Sequence, residues 1–261
     1  MAHKKRLDVL LVERGLAESR TRAQAYIMEG RVRHGDRVYT KPGEALDEET
    51  PLSVDQPETE YVGRGGEKLA HALDRFGLDP TGLVALDVGA STGGFTDVLL
   101  RCGALRVYAV DVGYGELAWT LRQDPRVVVM ERTNIRYLQS LPEQPALAVI
   151  DVSFISLAKV LPTVWRLLSP DGRVAALIKP QFEAGRGQVG KGGVVRDPAT
   201  HRAVLARVLS EAEAEGWHAA GLVNSPVLGR SGNREFLVLW SKISPDAPFG
   251  RDAAIEQVMA Q

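Results

Sequence analysis

The sequence predicts an α/β protein in which a doubly wound, largely parallel sheet follows a small α+β module. Three observations carry this. From about Gly82 onward, seven apolar strand-like runs alternate with helix-length segments. The first run passes through a glycine-rich turn, Asp87-Val88-Gly89-Ala90-Ser91-Thr92-Gly93-Gly94, into a helical segment. The first 60 residues instead carry short elements and strongly segregated charge. A chain of 261 residues is long for one ordinary domain and short for two full ones. The expected division is 1–60 for the module with its linker, 61–245 for the main domain and 246–261 for a C-terminal tail.

In the module, Leu7, Leu10, Leu11 and Arg14 lie at helical spacing and Gly15 stops that helix. Ser19 is placed to cap a second helix, Arg20–Glu29, which Gly30 ends. Two short strands follow, Arg31–Arg33 and Arg37–Tyr39, with Gly35-Asp36 as the hairpin turn. The formal net charge of -1 is a sum of unlike parts. Met1–Lys41 holds ten bases and five acids, and Pro42–Glu60 holds seven acids and no base. A near-neutral average therefore does not exclude a nucleic-acid partner.

The main-domain strands are expected at Leu83–Leu86, Val107–Val110, Val127–Met130, Leu147–Ile150, Val174–Ile178, His218–Val223 and Glu235–Trp240. Helices are expected near Thr96–Arg101, Gly115–Leu121, Leu157–Leu168 and Thr200–Glu215. Glycines at a strand-to-helix turn let a cofactor approach the backbone and the helix amides. Here Asp87 leads and Gly89, Gly93 and Gly94 follow. This Asp-x-Gly-x-x-x-Gly-Gly pattern resembles S-adenosylmethionine methyltransferases more than the G-x-G-x-x-G of dehydrogenases. Asp111 ends the second strand, where an acid can accept both hydroxyls of a ribose. That would suit NAD as well.

Parallel sheets bind ligands beyond the carboxyl ends of their strands. Asp151 closes one strand and Lys179 another, and charges there are expensive to bury unpaired. Lys68 and Glu235, taken singly, read as an ordinary helical lysine and an edge carboxylate. The segment Gln181–Arg202 has five glycines and few apolar anchors, and it reads as a mobile basic loop suited to closing over phosphate. Phe154, Phe182 and Tyr114 could stack a flipped base or belong to the core.

Lys68, Asp151, Lys179 and Glu235, in that order, resemble the Lys-Asp-Lys-Glu tetrad of FtsJ-type ribose 2′-O-methyltransferases. The flanking runs Tyr61-Val62-Gly63-Arg64-Gly65-Gly66-Glu67-Lys68-Leu69, Asp151-Val152-Ser153-Phe154-Ile155-Ser156-Leu157, Lys179-Pro180-Gln181-Phe182-Glu183 and Gly190–Pro198 resemble the TlyA family, whose members are named for hemolysis or for rRNA methylation. The N-terminal run Arg6–Arg20 with Gly30-Arg31-Val32 resembles the alpha-L, or S-four, RNA-binding fold. The resemblance implies a Rossmann-like S-adenosylmethionine methyltransferase sheet with a small N-terminal RNA-binding domain. It also implies methylation of a ribose 2′-hydroxyl, on a cytidine of ribosomal RNA or ribosomal subunits.

The cofactor set is then Asp87, Gly89, Ser91, Gly93, Gly94, Phe95, Asp111, Val112 and Asp151. The RNA set is Arg6, Arg20, Arg22, Arg31, Arg33, Arg64, Arg186, Lys191 and Arg196. Lys179 is the candidate base, Lys68 a second positive charge, and Asp151 and Glu235 orient them. A ribose hydroxyl is a weak nucleophile, and a lysine serves as base only when burial or a neighbouring cation lowers its pKa. In-line placement can supply much of the rate.

One cysteine, Cys102, excludes a disulfide framework and a multi-cysteine zinc site, and no metal is expected. No run reaches the ~18 apolar residues of a membrane span. The basic start runs into Leu7–Glu13, too short and charged for a signal peptide, so a cytoplasmic protein with no membrane partner is expected. A membrane-lytic protein and a non-catalytic ribosome-assembly factor are the rival readings. The first lacks a basic amphipathic helix, and the second leaves the intact tetrad without a purpose.

Overall fold

The computed structural model describes residues 4–17, 19–28, 30–55, 61–185 and 187–261. The chain divides into two compact units, Met1–Glu60 and Tyr61–Gln261. In the first, β1 (Lys4–Arg6) leads into α1 (Leu7–Glu13) and α2 (Arg20–Met28), then β2 (Val32–His34), β3 (Arg37–Tyr39), β4 (Ala45–Asp47) and β5 (Ser53–Val54). β1 pairs with β4, and β2 runs between β3 and β5, all antiparallel. The His34↔Arg37 register confirms a two-residue turn at Gly35-Asp36, with Gly35 at φ +57.

Leu7, Leu11, Ala23, Ile27 and Val32 form a small core. Its polar keystone is Asp8, which is fully buried. Asp8 accepts two bonds from the Arg6 guanidinium and one each from Arg20 and Gln24, at 2.8 to 3.0 Å. The Arg6 pairing, followed by the Gln24 and Arg20 bonds, holds its carboxyl far below the usual range against the opposing effect of burial.

The second unit begins with α3 (Gly65–Phe76), followed by β6 (Val84–Val88), α4 (Gly94–Arg101), β7 (Arg106–Val110), α5 (Trp119–Arg122), β8 (Val127–Met130) and β9 (Leu147–Ile150). It continues with α6 (Leu161–Leu167), β10 (Arg173–Ile178), α7 (Pro180–Glu183), α8 (Pro198–Ala214), β11 (His218–Asn224), β12 (Phe236–Ser241) and α9 (Arg251–Met259). The sheet order is β11-β12-β10-β9-β6-β7-β8. Strands β6 to β10 pair in parallel, and β12 is antiparallel to both its neighbours.

Alternate strand residues feed two cores. Ala85, Val107, Val149 and Leu177 meet Leu69 and Leu73 of α3 and Val98 and Leu99 of α4. Leu86, Tyr108, Ile150 and Ile178 meet α6, α8 and α9 on the other face. Both faces are covered, which is why the strands read as continuous apolar runs. The chain moves outward from β6 in one direction and then returns to lay β9 on its other side. That reversal creates a crevice beyond the carboxyl ends of β6 and β9.

Three elements differ from expectation. The segment 157–168 splits into a short 3-10 turn, Leu157–Lys159, and α6. Pro162 in the first turn of α6 has no N–H, and in a continuous helix its ring would clash with the carbonyl of Ala158. The segment 115–121 is mostly loop, with Gly115 at φ +76 and helix only from Trp119. Residues 246–261 are no loose tail. Within them α9 buries Ile255 and Val258 in the core, and the Val258 carbonyl accepts from Asn224 Nδ2 at 2.9 Å. Among the described residues no helix is long and apolar enough to cross a membrane.

Candidate active site

Strand register explains why residues distant in sequence converge. Val88 lies opposite Val110 and Ile150, and Ile178 opposite Phe236. Gly89, Asp111, Asp151 and Lys179 each follow one of those residues, and Glu235 immediately precedes Phe236. All five therefore emerge at one edge of the sheet.

Two ion pairs stand there. Lys179 Nζ lies 2.5 Å from Asp151 Oδ1 and donates to Ser153 Oγ at 3.0 Å. Lys68 Nζ donates to Glu235 Oε2 at 2.6 Å, with side chains 11% and 2% exposed. Lys68 is thus no surface lysine: α3 turns it inward beside Leu69 and Ala72, against the start of β12. Gln181, two residues past Lys179, donates to the other oxygen of Glu235 at 3.0 Å and links the two pairs. A side chain at Gly229 would occupy the place of the Glu235 carboxylate, so a glycine is required there.

Beside the Lys179–Asp151 pair lies a cleft of about 430 Å³. Gly89, Ser91, Asp111, Val112 and Asp151 of the expected cofactor set line it. Gly89 has φ +87, and a Cβ there would come within 2.6 Å of the Asp151 carbonyl. Asp111 accepts from the backbone amides of Ser91 and Gly113 at 2.8 and 2.7 Å, which fixes its carboxylate. Each of its oxygens keeps a lone pair for a ribose hydroxyl.

The remaining members of that set do not line the cleft. Gly94 carries a close approach of α4 to Val62 and Gly66, Gly93 faces Leu117 and Leu121, and Phe95 is buried. Glu116, Thr133, Asn134 and Ile135, which the sequence does not single out, also line the cleft. Their signal was available: the last three lie just beyond the third parallel strand.

Asp87 is fully buried. Its Oδ2 accepts from Thr96 Oγ1 at 2.7 Å, and its Oδ1 has no hydrogen-bond partner among the described residues. Burial pushes its carboxyl up to about 7, opposed by the Thr96 bond and assisted by the charges of Asp151 and Asp111. An orphaned buried carboxylate oxygen behind Gly89 is the chemistry that a cationic cofactor complements.

This carboxyl also links stability to pH. A folded-state value raised from 3.8 to about 7 gives a contribution present below 3.8 and lost as pH rises through 7. The full loss is roughly 4 kcal/mol. Asp87→Asn keeps an acceptor for Thr96 and cannot ionise. Denaturant unfolding without ligand is therefore expected to show the variant gaining on the wild type between about pH 4 and 7. Parallel pH profiles would refute the assignment.

The glycine-rich stretch after Lys179 is better anchored than its composition suggests. Val194 and Val195 are buried, and Asn233 receives the Val195 amide at 3.1 Å while donating to the Gly193 carbonyl at 3.0 Å. Lys191 and Arg196 are exposed on this stretch, and Arg186 lies outside the described residues. Arg64 is exposed at the start of α3. In the first unit, Arg6 and Arg20 hold Asp8, Arg33 pairs with Asp55 at 2.8 Å, and Arg22 lies over the Tyr26 ring. Much of the basic charge counted there is thus already engaged, although Arg6, Arg20 and Arg33 remain about half exposed. Phe154 is 86% exposed at φ +65, its ring 4.8 Å from that of Phe182.

A doubly wound sheet with a cofactor cleft at its switch point and a lysine–carboxylate pair on the rim defines a Rossmann-like methyltransferase. The model of the FtsJ-like methyltransferases matches residues 61–242, and that of the S4 domain matches residues 5–51. The chain belongs to the FtsJ-like methyltransferase family, whose cofactor is S-adenosylmethionine. It is 48% identical to the 16S/23S rRNA (cytidine-2′-O)-methyltransferase TlyA of Mycobacterium tuberculosis, over 94% of this chain and 92% of that one. It is 41% identical to Hemolysin A of Brachyspira hyodysenteriae, over 89% of this chain and 98% of that one. A solved structure from Streptococcus thermophilus, also named for hemolysis, superposes with a TM-score of 0.74 at 44% identity, covering 100% of this chain and 97% of that one.

Proposed function

We propose that the protein methylates the ribose 2′-hydroxyl of a cytidine in ribosomal RNA, in the cytoplasm. The observation that carries this reading is the Lys179–Asp151 pair on the rim of the cofactor cleft, with Phe154 exposed beside it. Gly89, Ser91, Asp111 and Asp151 would hold S-adenosylmethionine, and Asp87 would balance its positive charge from behind. When bound, that cofactor supplies an electrophilic methyl group on a sulfonium sulfur.

The rest falls to the protein. Lys179 Nζ, in its neutral amine form, takes the proton of the 2′-hydroxyl as the oxygen attacks the methyl carbon. Asp151 and Ser153 fix where that nitrogen stands, and Ser153 is an addition to the four residues expected from sequence. Glu235, held by Lys68 and Gln181, presents a rigid buried carboxylate to the same end of the sheet. Phe154, leaning on Phe182, offers a face on which the target base can stack, worth about 1–3 kcal/mol per base. Its left-handed backbone is costly for a bulky residue, which fits a residue shaped for a ligand.

RNA would be gripped at two places: the arginines of the first unit, and Arg64, Lys191 and Arg196 of the second. The similarity to a relative named for rRNA cytidine methylation supports the choice of substrate. Incubation with methyl-labelled cofactor and rRNA from cells lacking the protein is expected to label the RNA. Absence of label on naked rRNA and on both ribosomal subunits would overturn the reading.

A further inference from the structure

Glu183 ends α7, four residues past Lys179, and its side chain is 2% exposed. It does not face the cofactor cleft. It reaches instead into the loop that follows Asp151. Its Oε1 accepts from the Leu157 amide at 2.7 Å, and its Oε2 accepts from Ser156 Oγ at 2.8 Å. Arg207 of α8 supplies the counter-charge at 3.3 Å and also donates to the Glu183 carbonyl at 2.6 Å. Arg207 is itself steadied by Glu211 one turn on.

These bonds close a ring of chain. At one end Lys179 holds Asp151 and Ser153; at the other Glu183 holds Ser156 and Leu157. Between the two grips, on opposite arms, stand Phe154 and Phe182 with their rings 4.8 Å apart. The α7 turn makes the linkage stiff, because the Phe182 and Glu183 amides both donate to the Lys179 carbonyl. Shape alone does not demand a buried charge here, since an apolar side chain would fill the space at lower desolvation cost.

We propose that Glu183 is a positioning residue for methyl transfer, a latch that sets the spacing between the Lys179 arm and the Phe154 arm. The role rests on the methyltransferase reading above. Glu183→Gln keeps the size of the side chain but can satisfy only one of the two donors and loses the pairing with Arg207. Hydrogen exchange on the full-length protein is expected to show the Leu157 amide opening about 10-fold faster or more. Cofactor affinity, read by calorimetry, is expected to stay unchanged, while kcat on rRNA falls about 10- to 100-fold, as a misplacement near 1 Å would produce.

Faster exchange with normal kcat would make Glu183 a brace of the fold only and overturn the proposal, as would no change in either. If Glu183→Gln does not fold, Ser156→Ala removes one grip and carries the same two readouts. A wild-type protein inactive on every rRNA would sink the methyltransferase reading and this role together. The exchange data, which need no activity, would then mark the latch as structural and keep the two failures distinct.

Discussion

Replacing Lys179 with alanine is expected to lower methyl transfer by about 10²- to 10⁴-fold while leaving S-adenosylmethionine affinity intact. The geometry dictates both halves of that outcome. Lys179 closes β10 and places Nζ 2.5 Å from Asp151 and 3.0 Å from Ser153, on the rim of the cofactor cleft but not in its wall. Deleting it removes the proposed proton acceptor and leaves the cleft residues in place. The freed Asp151 carboxylate faces the cleft with less compensation, which does not disfavour a cationic ligand. Calorimetry and single-turnover kinetics measure the two quantities separately. Turnover within a few-fold of wild type would remove Lys179 as the base, and loss of cofactor binding would show that its role is to hold the cleft.

Breaking the second pair is expected to act on stability first. Lys68 and Glu235 are 11% and 2% exposed, and their bond spans 167 residues of chain. Lys68→Ala strands a buried carboxylate that, among the described residues, keeps only the Gln181 amide. Removing one partner of a buried pair typically costs about 3–5 kcal/mol. In a unit of this size each kcal/mol moves the unfolding midpoint by roughly 2–4 °C. The double variant Lys68→Met with Glu235→Leu removes both charges and is expected to recover much of that loss, yet to remain inactive. Calorimetric unfolding of the three proteins tests this. A loss below about 1 kcal/mol in Lys68→Ala would contradict the pairing.

The sheet was legible because burial on both faces leaves continuous apolar runs such as Leu147–Ile150 and Val174–Ile178. The site was partly legible for a related reason: a charge directly after such a run, as in Asp151 and Lys179, has few solvated places to go. Lys68 was different. Nothing in its own helix reveals a partner 167 residues away, and only resemblance to a known tetrad singled it out. Asp8 is invisible for the same reason: a count of ten N-terminal bases does not show that Arg6 and Arg20 serve a buried carboxylate.

Local chemistry misled in two further places. The glycines at 190, 192 and 193 suggest mobility, yet the adjoining Val194 and Val195 are buried and Asn233, from another part of the chain, bonds to the stretch. Residues 251–259 show only two buried apolar positions, Ile255 and Val258, too few to mark a core helix by periodicity. Ser153, Gln181 and Glu183 lie inside the motif runs themselves, but their roles depend on which strand ends are neighbours. Topology determines that.

The position of the transferred methyl group tests the central claim most directly. Ribosomal RNA labelled by the purified protein should be digested to nucleosides and resolved by mass spectrometry. The account predicts label in 2′-O-methylcytidine, at a phosphodiester that resists alkaline cleavage, and its absence with the Lys179→Ala variant. Label on a base, or on a ribose equally well without Lys179, would contradict it.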